Sequence, residues 1–388
     1  MPRSLSNNTL LPLLQRLAQK VGKEQAHSEL RWLTEYVREE LTATGHPLRT
    51  AHNPTMHHGA RIWRDQPAPS TEEIERDHKR FTPVQWAWLR QAIKDRTEHN
   101  KPLQYIIGDQ LFGKANIVVR PPVLIPRWET EEWMIRLAEL ICAHNASLKD
   151  SAQRRPLNVL DACTGSGCVS LGLASELPPD TINALGVDIS TEAVSLALEN
   201  LALNQALLNG NSVRFRQLDL MGPDAAAELV SEADGLKERS GGHGWDMIVS
   251  NPPYVTPAEY DGLDPDVREW EDRRALVPPA LQEPSLPNAE ERHSGLAKDD
   301  PDGVSFVVQL AKLAREIDLV ALSGKTHQHH TIDASADSRL PRLVVEIGGK
   351  HQVEAVCQIM RDHGLNSTEV WKDMAGHDRV VLGYSKPK

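Results

Sequence analysis

The sequence predicts a doubly wound α/β domain built on a mostly parallel sheet, preceded by a small all-α domain. Three observations carry this. Short apolar runs recur at 157–162, 184–188, 213–218, 245–250 and 344–348, several of them ending at an acid or a glycine turn. Helical stretches at 169–176, 191–208 and 304–317 stand among them, an alternation that implies parallel strands joined by crossovers. Two closely spaced final strands, near 369–372 and 380–384, predict a C-terminal antiparallel hairpin.

The elements follow in chain order. Residues 10–23 carry Leu13, Leu14, Leu17 and Val21 at helical spacing, residues 26–44 continue the pattern, and 82–98 place Trp86, Leu89 and Ile93 on one face. These helices predict an N-terminal domain over 1–100, with 46–70, rich in Pro and His, as a long loop inside it. Arg3, Arg16, Lys20 and Lys23 precede the first acid, Glu24, and flank an apolar patch at Leu10, Leu11, Leu13 and Leu14. That composition resembles a mitochondrial matrix-targeting peptide and also suits a first helix; cytoplasmic residence is the alternative.

Residues 111–125, with Gly113-Lys114-Ala115-Asn116 near a turn, predict a β-hairpin within a linker at 101–125. The larger domain then occupies 126–388. Its first helix opens on Glu129, Glu131 and Glu132, acids that suit the positive end of a helix dipole, and extends to Asn145. Insertions are expected near 222–243, near 278–303, which is proline-rich and charged, and near 323–340, rich in Ser, His and Asp.

Two motifs carry chemistry. Cys163-Thr164-Gly165-Ser166-Gly167-Cys168 follows the first strand and opens a helix, and Gly165 and Gly167 permit a close backbone approach to a ligand. No Gly-Lys-Ser or Gly-Lys-Thr directly follows this turn, which argues against a P-loop there. Asp188 ends the second strand, where a carboxylate can accept from both ribose hydroxyls, and Asp219, followed by Leu220, ends the third, where an adenine amino group would find an acceptor. The second motif is Asn251-Pro252-Pro253-Tyr254, directly after an apolar strand. The prolines fix φ and remove N–H donors. A planar NH2 group could donate to the Asn251 side-chain oxygen and the Pro252 carbonyl while Tyr254 covers one face.

A ribose acid, an adenine-edge acid and a glycine turn without phosphate machinery describe a pocket for S-adenosylmethionine. At this point the chain resembles the class I methyltransferases, whose doubly wound sheet is Rossmann-like. More narrowly, it resembles the family that methylates the glutamine side-chain nitrogen in the Gly-Gly-Gln motif of peptide chain release factors. Further stretches carry that resemblance: Pro102-Leu103-Gln104-Tyr105-Ile106-Ile107-Gly108 with Phe112, the segment from Leu124 to Glu131, Val344 to Gly348 with Gln352, and Asp373 to Val380. The resemblance implies that Cys163, Thr164, Gly165, Ser166, Gly167, Asp188, Asp219, Leu220 and Asn251 bind the methyl donor. It implies that Asn251, Pro252, Pro253 and Tyr254, with Arg127 and Glu129, frame the substrate. The N-terminal domain is expected to contact the release factor.

Two positions depart from the family pattern. Cys163 stands where many relatives have glycine, and mitochondrial-type members are similar there. Glu271-Asp272 replaces a Glu-Pro pair, which leaves the course of the following loop open. Enzymes that methylate exocyclic amines of adenine or guanine share the tetrapeptide, so methylation of RNA or DNA is the alternative activity; a non-catalytic scaffold is a third.

Composition narrows the choice. A net charge of −11 over 388 residues argues against a broad nucleic-acid-binding face and suits a basic protein partner. The four cysteines, at 142, 163, 168 and 357, lack Cys-x-x-Cys spacing, so neither a zinc site nor a disulfide framework is expected. The histidine clusters at 57–58 and 327–330 fall in polar stretches and do not predict a metal site. No run of apolar residues is long enough to span a membrane. A monomer is expected.

Overall fold

A computed structural model of the chain describes residues 10–39, 41, 81–148, 155–239, 244–279, 302–323 and 340–385. The whole of the predicted 46–70 loop, most of the 278–303 and 323–340 insertions, both histidine clusters and the first nine residues lie outside the described residues. The chain divides into two compact units, Met1–Leu111 with Asp264–Trp270, and Phe112–Leu263 with Glu271–Lys388.

The first unit is helical. Helices Leu11–Val21, Lys23–Glu39 and Pro83–Glu98 bury Leu17, Leu30, Leu33, Leu89 and Ile93 against one another. The helix Pro83–Glu98 starts where it does because Thr82 and Gln85 form a capping box, with proline at the position whose N–H would be orphaned anyway. Its last turn carries a buried cation: Arg96 donates to both carboxylate oxygens of Glu29, at 3.0 Å each, and to Asp266 at 3.0 Å. Asp266 comes from the seven-residue segment Asp264–Trp270, which leaves the second unit to join these helices. Trp270 closes the segment by donating its indole N–H to the His99 carbonyl at 2.9 Å.

Strands β1 (Asp109–Phe112) and β2 (Ala115–Val118) form the two-stranded sheet between 101 and 125, preceded by the short helix Leu103–Ile107. The backbone of β2 is paired on its free side by side chains. Asn200 exchanges hydrogen bonds with both the N–H and the C=O of Val118, and Asn204 does the same with Asn116. Two asparagines one helical turn apart thus stand in for a missing strand.

The second unit holds a seven-stranded sheet of β3 (Leu157–Ala162), β4 (Ile182–Asp188), β5 (Ser212–Gln217), β6 (Met247–Ser250), β7 (Leu343–Glu346), β8 (Ser367–Lys372) and β9 (Asp378–Tyr384). The order is β5-β4-β3-β6-β7-β9-β8. Every pairing from β5 to β7 is parallel, and the β9 and β8 pairings are antiparallel. β3, β6 and β7 are buried along their whole length, as expected for central strands covered on both faces. The helix Ala225–Arg239 fills most of the stretch read from sequence as the first insertion, and buries Leu229 and Ala233 in the core.

Strand order reverses between β3 and β6, each reached by a crossover on opposite sides, and this switch point is where open α/β sheets bind ligands. Register sharpens the location. Ala162 pairs with Val187 on one side and Ser250 on the other, and Ser250 pairs with Val345. The next residue on each of the four strands is Cys163, Asp188, Asn251 or Glu346, so the four emerge side by side at one sheet edge.

Candidate active site

The turn after β3 is built from left-handed backbone. Cys163, Gly165 and Gly167 have φ of 60°, 55° and 81°. Thr164 and Ser166 point inward and are buried, whereas Cys163 and Gly165 are partly exposed. Thr164 holds the turn to the sheet twice, its N–H to the Val187 carbonyl at 3.0 Å and its hydroxyl to Asp161 at 2.7 Å. The same Asp161 oxygen accepts from the Ser170 hydroxyl and N–H, and burial pushes this carboxyl up to about 6 against those hydrogen bonds.

The two glycines do different things. A Cβ on Gly165 would meet nothing within 4 Å, so its backbone faces open space; a Cβ on Gly167 would lie 2.6 Å from the Phe215 ring. The ring is seated equally tightly against Gly186 of β4, at 2.4 Å. Gly165 therefore gives access, and Gly167 lets helix, β4 and β5 pack on Phe215.

Asp188 is fixed before any ligand arrives. Its two oxygens accept the backbone N–H groups of Gly165 and Ser190, each at 2.9 Å. Burial raises its pKa, and those two N–H groups oppose the rise. Each oxygen retains a lone pair, which is the arrangement needed to accept two vicinal hydroxyls. Asp219 lies just beyond β5, its Oδ1 accepting from the Met221 N–H at 3.0 Å. The Leu220 side chain is buried in the core, and its carbonyl accepts from Gln309 at 2.9 Å. The Cys163 thiol is held neutral: burial raises its pKa well above the ordinary value, and Asp188 adds to the rise. Its side chain packs, partly buried, against the core cluster.

The tetrapeptide is locked from several sides. Pro252 and Pro253 are buried, Asn251 and Tyr254 half-buried. Ser250, just before it, donates to the Ala162 carbonyl at 2.8 Å and ties this edge to the glycine turn. Gln352 donates to the Tyr254 carbonyl at 3.0 Å and to the Asp302 carbonyl, while its own oxygen accepts the Gly348 N–H at 2.7 Å. Gly303 follows at φ 67°, and a Cβ there would lie 2.5 Å from the Tyr254 backbone carbonyl oxygen.

Side chains complete the site. Asn251 donates from Nδ2 to Thr130 Oγ1 at 3.0 Å, and no other hydrogen bond of its carboxamide is present among the described residues. Thr130 donates to Glu346 Oε2 at 2.6 Å, Trp133 donates its indole N–H to the same oxygen at 2.8 Å, and the Tyr254 hydroxyl donates to Oε1 at 3.2 Å. Burial raises the Glu346 pKa, and the Thr130, Trp133 and Tyr254 hydrogen bonds together with Arg379 counter it. Burial beside that carboxylate also raises the Tyr254 pKa far above its ordinary value, so the phenol stays protonated.

Arg127 stands at the N-cap of the helix Trp128–Ser147 and is ion-paired with the buried Glu271. Of the acids that open the helix, Glu131 accepts the Gly113 N–H at 2.8 Å, Glu132 accepts the Met374 N–H at 3.0 Å, and Glu129 lies where its charge acts on Arg379. The residue standing in for the family's proline finds its own geometry. Asp272 caps the short helix Arg273–Leu276, and its N–H, a donor proline would lack, reaches the Pro122 carbonyl at 2.7 Å.

Sequence reasoning did not single out Thr130, Trp133, Gln352 or Glu346 for a role. Thr130, Glu346 and Gln352 belong to the stretches that carry the family resemblance, and a buried acid ending a central strand was the available signal.

These features fit a methyl donor bearing a ribose and a positive charge: open backbone over Gly165, an oriented acid at the end of β4, and a protein edge rich in carboxylates. Sheet order, switch point and turn define a class I methyltransferase that uses S-adenosylmethionine.

No protein-family model matches the chain. Curated relatives do. The chain is 30% identical over 289 residues to a probable MRF1 mitochondrial N(5)-glutamine methyltransferase of Schizosaccharomyces pombe, covering 73% of this chain and 75% of that protein. It is 31% identical over 310 residues to the release factor glutamine methyltransferase of Thermodesulfovibrio yellowstonii, covering 80% and 85%. A shorter match, 33% over 208 residues, is to the mitochondrial MRF1 N(5)-glutamine methyltransferase of Saccharomyces cerevisiae, of which the match spans 56%. The chain belongs to the release factor glutamine methyltransferase family. Among the described residues no helix is long and apolar enough to cross a membrane.

Proposed function

We propose that this protein transfers a methyl group to the side-chain amide nitrogen, N5, of the glutamine in the Gly-Gly-Gln motif of a peptide chain release factor. The observation that carries the reading is Asn251, presented by a proline-stiffened edge next to the turn that fits the methyl donor. When bound, S-adenosylmethionine supplies an electrophilic methyl carbon attached to a positively charged sulfur.

A carboxamide nitrogen is a poor nucleophile because its lone pair is delocalised into the carbonyl. Positioning therefore has to do most of the work. Asn251 Oδ1 and the Pro252 carbonyl accept the two amide protons, which aligns the nitrogen, favours its pyramidalisation and stabilises the positive charge it acquires. No general base on the protein is required, since an N-alkylated, protonated amide is acidic enough to release its proton to water. Tyr254, kept neutral, covers one face of the amide. Arg127 and Glu129 order the cleft mouth, and Glu271 holds Arg127 in place.

The N-terminal helical domain is assigned to recognition of the release factor, and the active species is a monomer that does not itself bind nucleic acid. Two of the relatives named above carry mitochondrial designations. Together with the basic, apolar N-terminus, they support the mitochondrial matrix as the site of action.

The test incubates purified protein with S-adenosylmethionine and a mitochondrial release factor and maps methyl groups by mass spectrometry. Methylation confined to the Gly-Gly-Gln glutamine is expected. Transfer to adenine or guanine of added RNA or DNA, with the glutamine untouched, would replace this reading with the nucleic-acid one.

A further inference from the structure

An asparagine side chain can present either its oxygen or its NH2 to a ligand, and the two look alike in shape. For accepting a substrate amide the difference is decisive. Turned one way, Asn251 offers an acceptor to the incoming NH2; turned the other way, it opposes donor to donor. What sets the choice lies behind it.

The indole N–H of Trp133 can only donate, so Glu346 Oε2, 2.8 Å away, is an acceptor. The Thr130 hydroxyl, 2.6 Å from the same oxygen, has one proton and gives it to Glu346. Only lone pairs then remain on Thr130 Oγ1 to face Asn251 at 3.0 Å, which requires Asn251 to turn its NH2 inward. Its Oδ1 is left at the other end of the planar carboxamide, directed away from Thr130. All the relay partners are buried, with Thr130 and Glu346 1% exposed and Trp133 2%, so water is not available to rewrite the pattern.

We propose that Glu346 and Thr130 are positioning residues for methyl transfer, acting as a one-way hydrogen-bond relay that holds the Asn251 carboxamide with its oxygen toward the substrate amide. The proposal rests on the reading that the substrate is a carboxamide nitrogen. It requires Glu346 as an acceptor at Oε2, not as a charge. A glutamine at 346 can keep that acceptor in place while its NH2 donates to the Tyr254 oxygen, whereas leucine removes the acceptor and frees the Thr130 proton to bond Asn251 Oδ1.

The experiment compares wild type, Thr130→Val, Thr130→Ser, Glu346→Gln and Glu346→Leu in glutamine methylation of a release factor, alongside methyl-donor binding and thermal unfolding. Thr130→Val and Glu346→Leu should lower kcat by about 10²-fold, the scale of a misplaced reacting group, with KM and donor Kd within about threefold of wild type. Thr130→Ser and Glu346→Gln should stay within about fivefold of wild type. In an Asn251→Ala background, Thr130→Val should cost less than about threefold more.

Full activity of Thr130→Val would overturn the relay. So would equal losses in Glu346→Gln and Glu346→Leu, which would point to charge, or loss of donor binding in Thr130→Val with Thr130→Ser equally impaired, which would point to packing. A wild-type protein that methylates no glutamine would sink the proposed function instead, a result distinct from each of these.

Discussion

The glycine turn after β3 and the tetrapeptide after β6 leave adjacent parallel strands at the same level, yet they reach rigidity by different means. The turn is held by backbone: three left-handed residues, an N–H to Val187, and Asp188 gripped by two more N–H groups. The tetrapeptide is held by side chains drawn from distant sequence, with Thr130 and Glu346 on one side and Gln352 on the other. The contrast separates two kinds of site. One is encoded where it stands, and the other is encoded mostly elsewhere.

The contrast can be broken most forcefully at Asn251. Asn251→Ala should lower kcat by about 10²- to 10³-fold, comparable to removing one preorganised hydrogen-bonding group from a catalytic site, while isothermal titration finds donor affinity little changed. Activity retained by this variant would remove the tetrapeptide from the chemistry.

A smaller but still large effect belongs to the turn. Gly167→Ala should destabilise the fold by about 3 kcal/mol, combining the cost of an L-residue in the left-handed region with overpacking against Phe215, and thermal unfolding would register it. The same change at Gly165, also left-handed but with nothing near its Cβ, should carry only the backbone cost of about 1–2 kcal/mol and should weaken donor binding as well.

Asp188→Ala should weaken donor binding by roughly 10- to 100-fold, the worth of hydrogen bonds to a charged acceptor. In the wild type, binding draws on the ionised form of Asp188. Because its pKa is raised, affinity should begin to fall at a higher pH than an ordinary aspartate would dictate as the solution is acidified, and Asp188→Asn should lack that acid limb. Titration of donor affinity against pH checks both.

The smallest change is expected at Cys163→Gly. Relief of the left-handed strain offsets lost contact with the core, so stability should shift by less than about 1 kcal/mol and activity should persist. A large loss would give the thiol a role that its raised pKa argues against.

Legibility in the sequence follows the same division. The strands at 157–162, 184–188 and 245–250 are apolar runs with turn chemistry immediately after them, so both the parallel sheet and its functional edge could be read locally. Asp188 and Asn251 were visible for that reason. Thr130 and Glu346 were not assigned, because a hydrogen bond between residues so far apart in sequence leaves no periodicity in either segment. Asn200 and Asn204 were hidden differently: they sit in an ordinary helical pattern, and only the folded chain reveals that they pair the free edge of β2. The helix Ala225–Arg239 was masked by an alanine- and acid-rich composition that reads as an insertion, although its apolar residues do return at helical spacing.

The excursion of residues Asp264–Trp270 bears on how the molecule can be dissected. The stretch just past the tetrapeptide belongs with the first helices and ends where Glu271 begins the return. A truncation starting at Phe112 would therefore keep these seven residues but discard Glu29, Arg96 and His99, stranding the acid and indole that the helices normally accommodate. Cutting this enzyme into halves at a single peptide bond cannot yield two intact pieces, because the polypeptide has woven a stitch from one into the other.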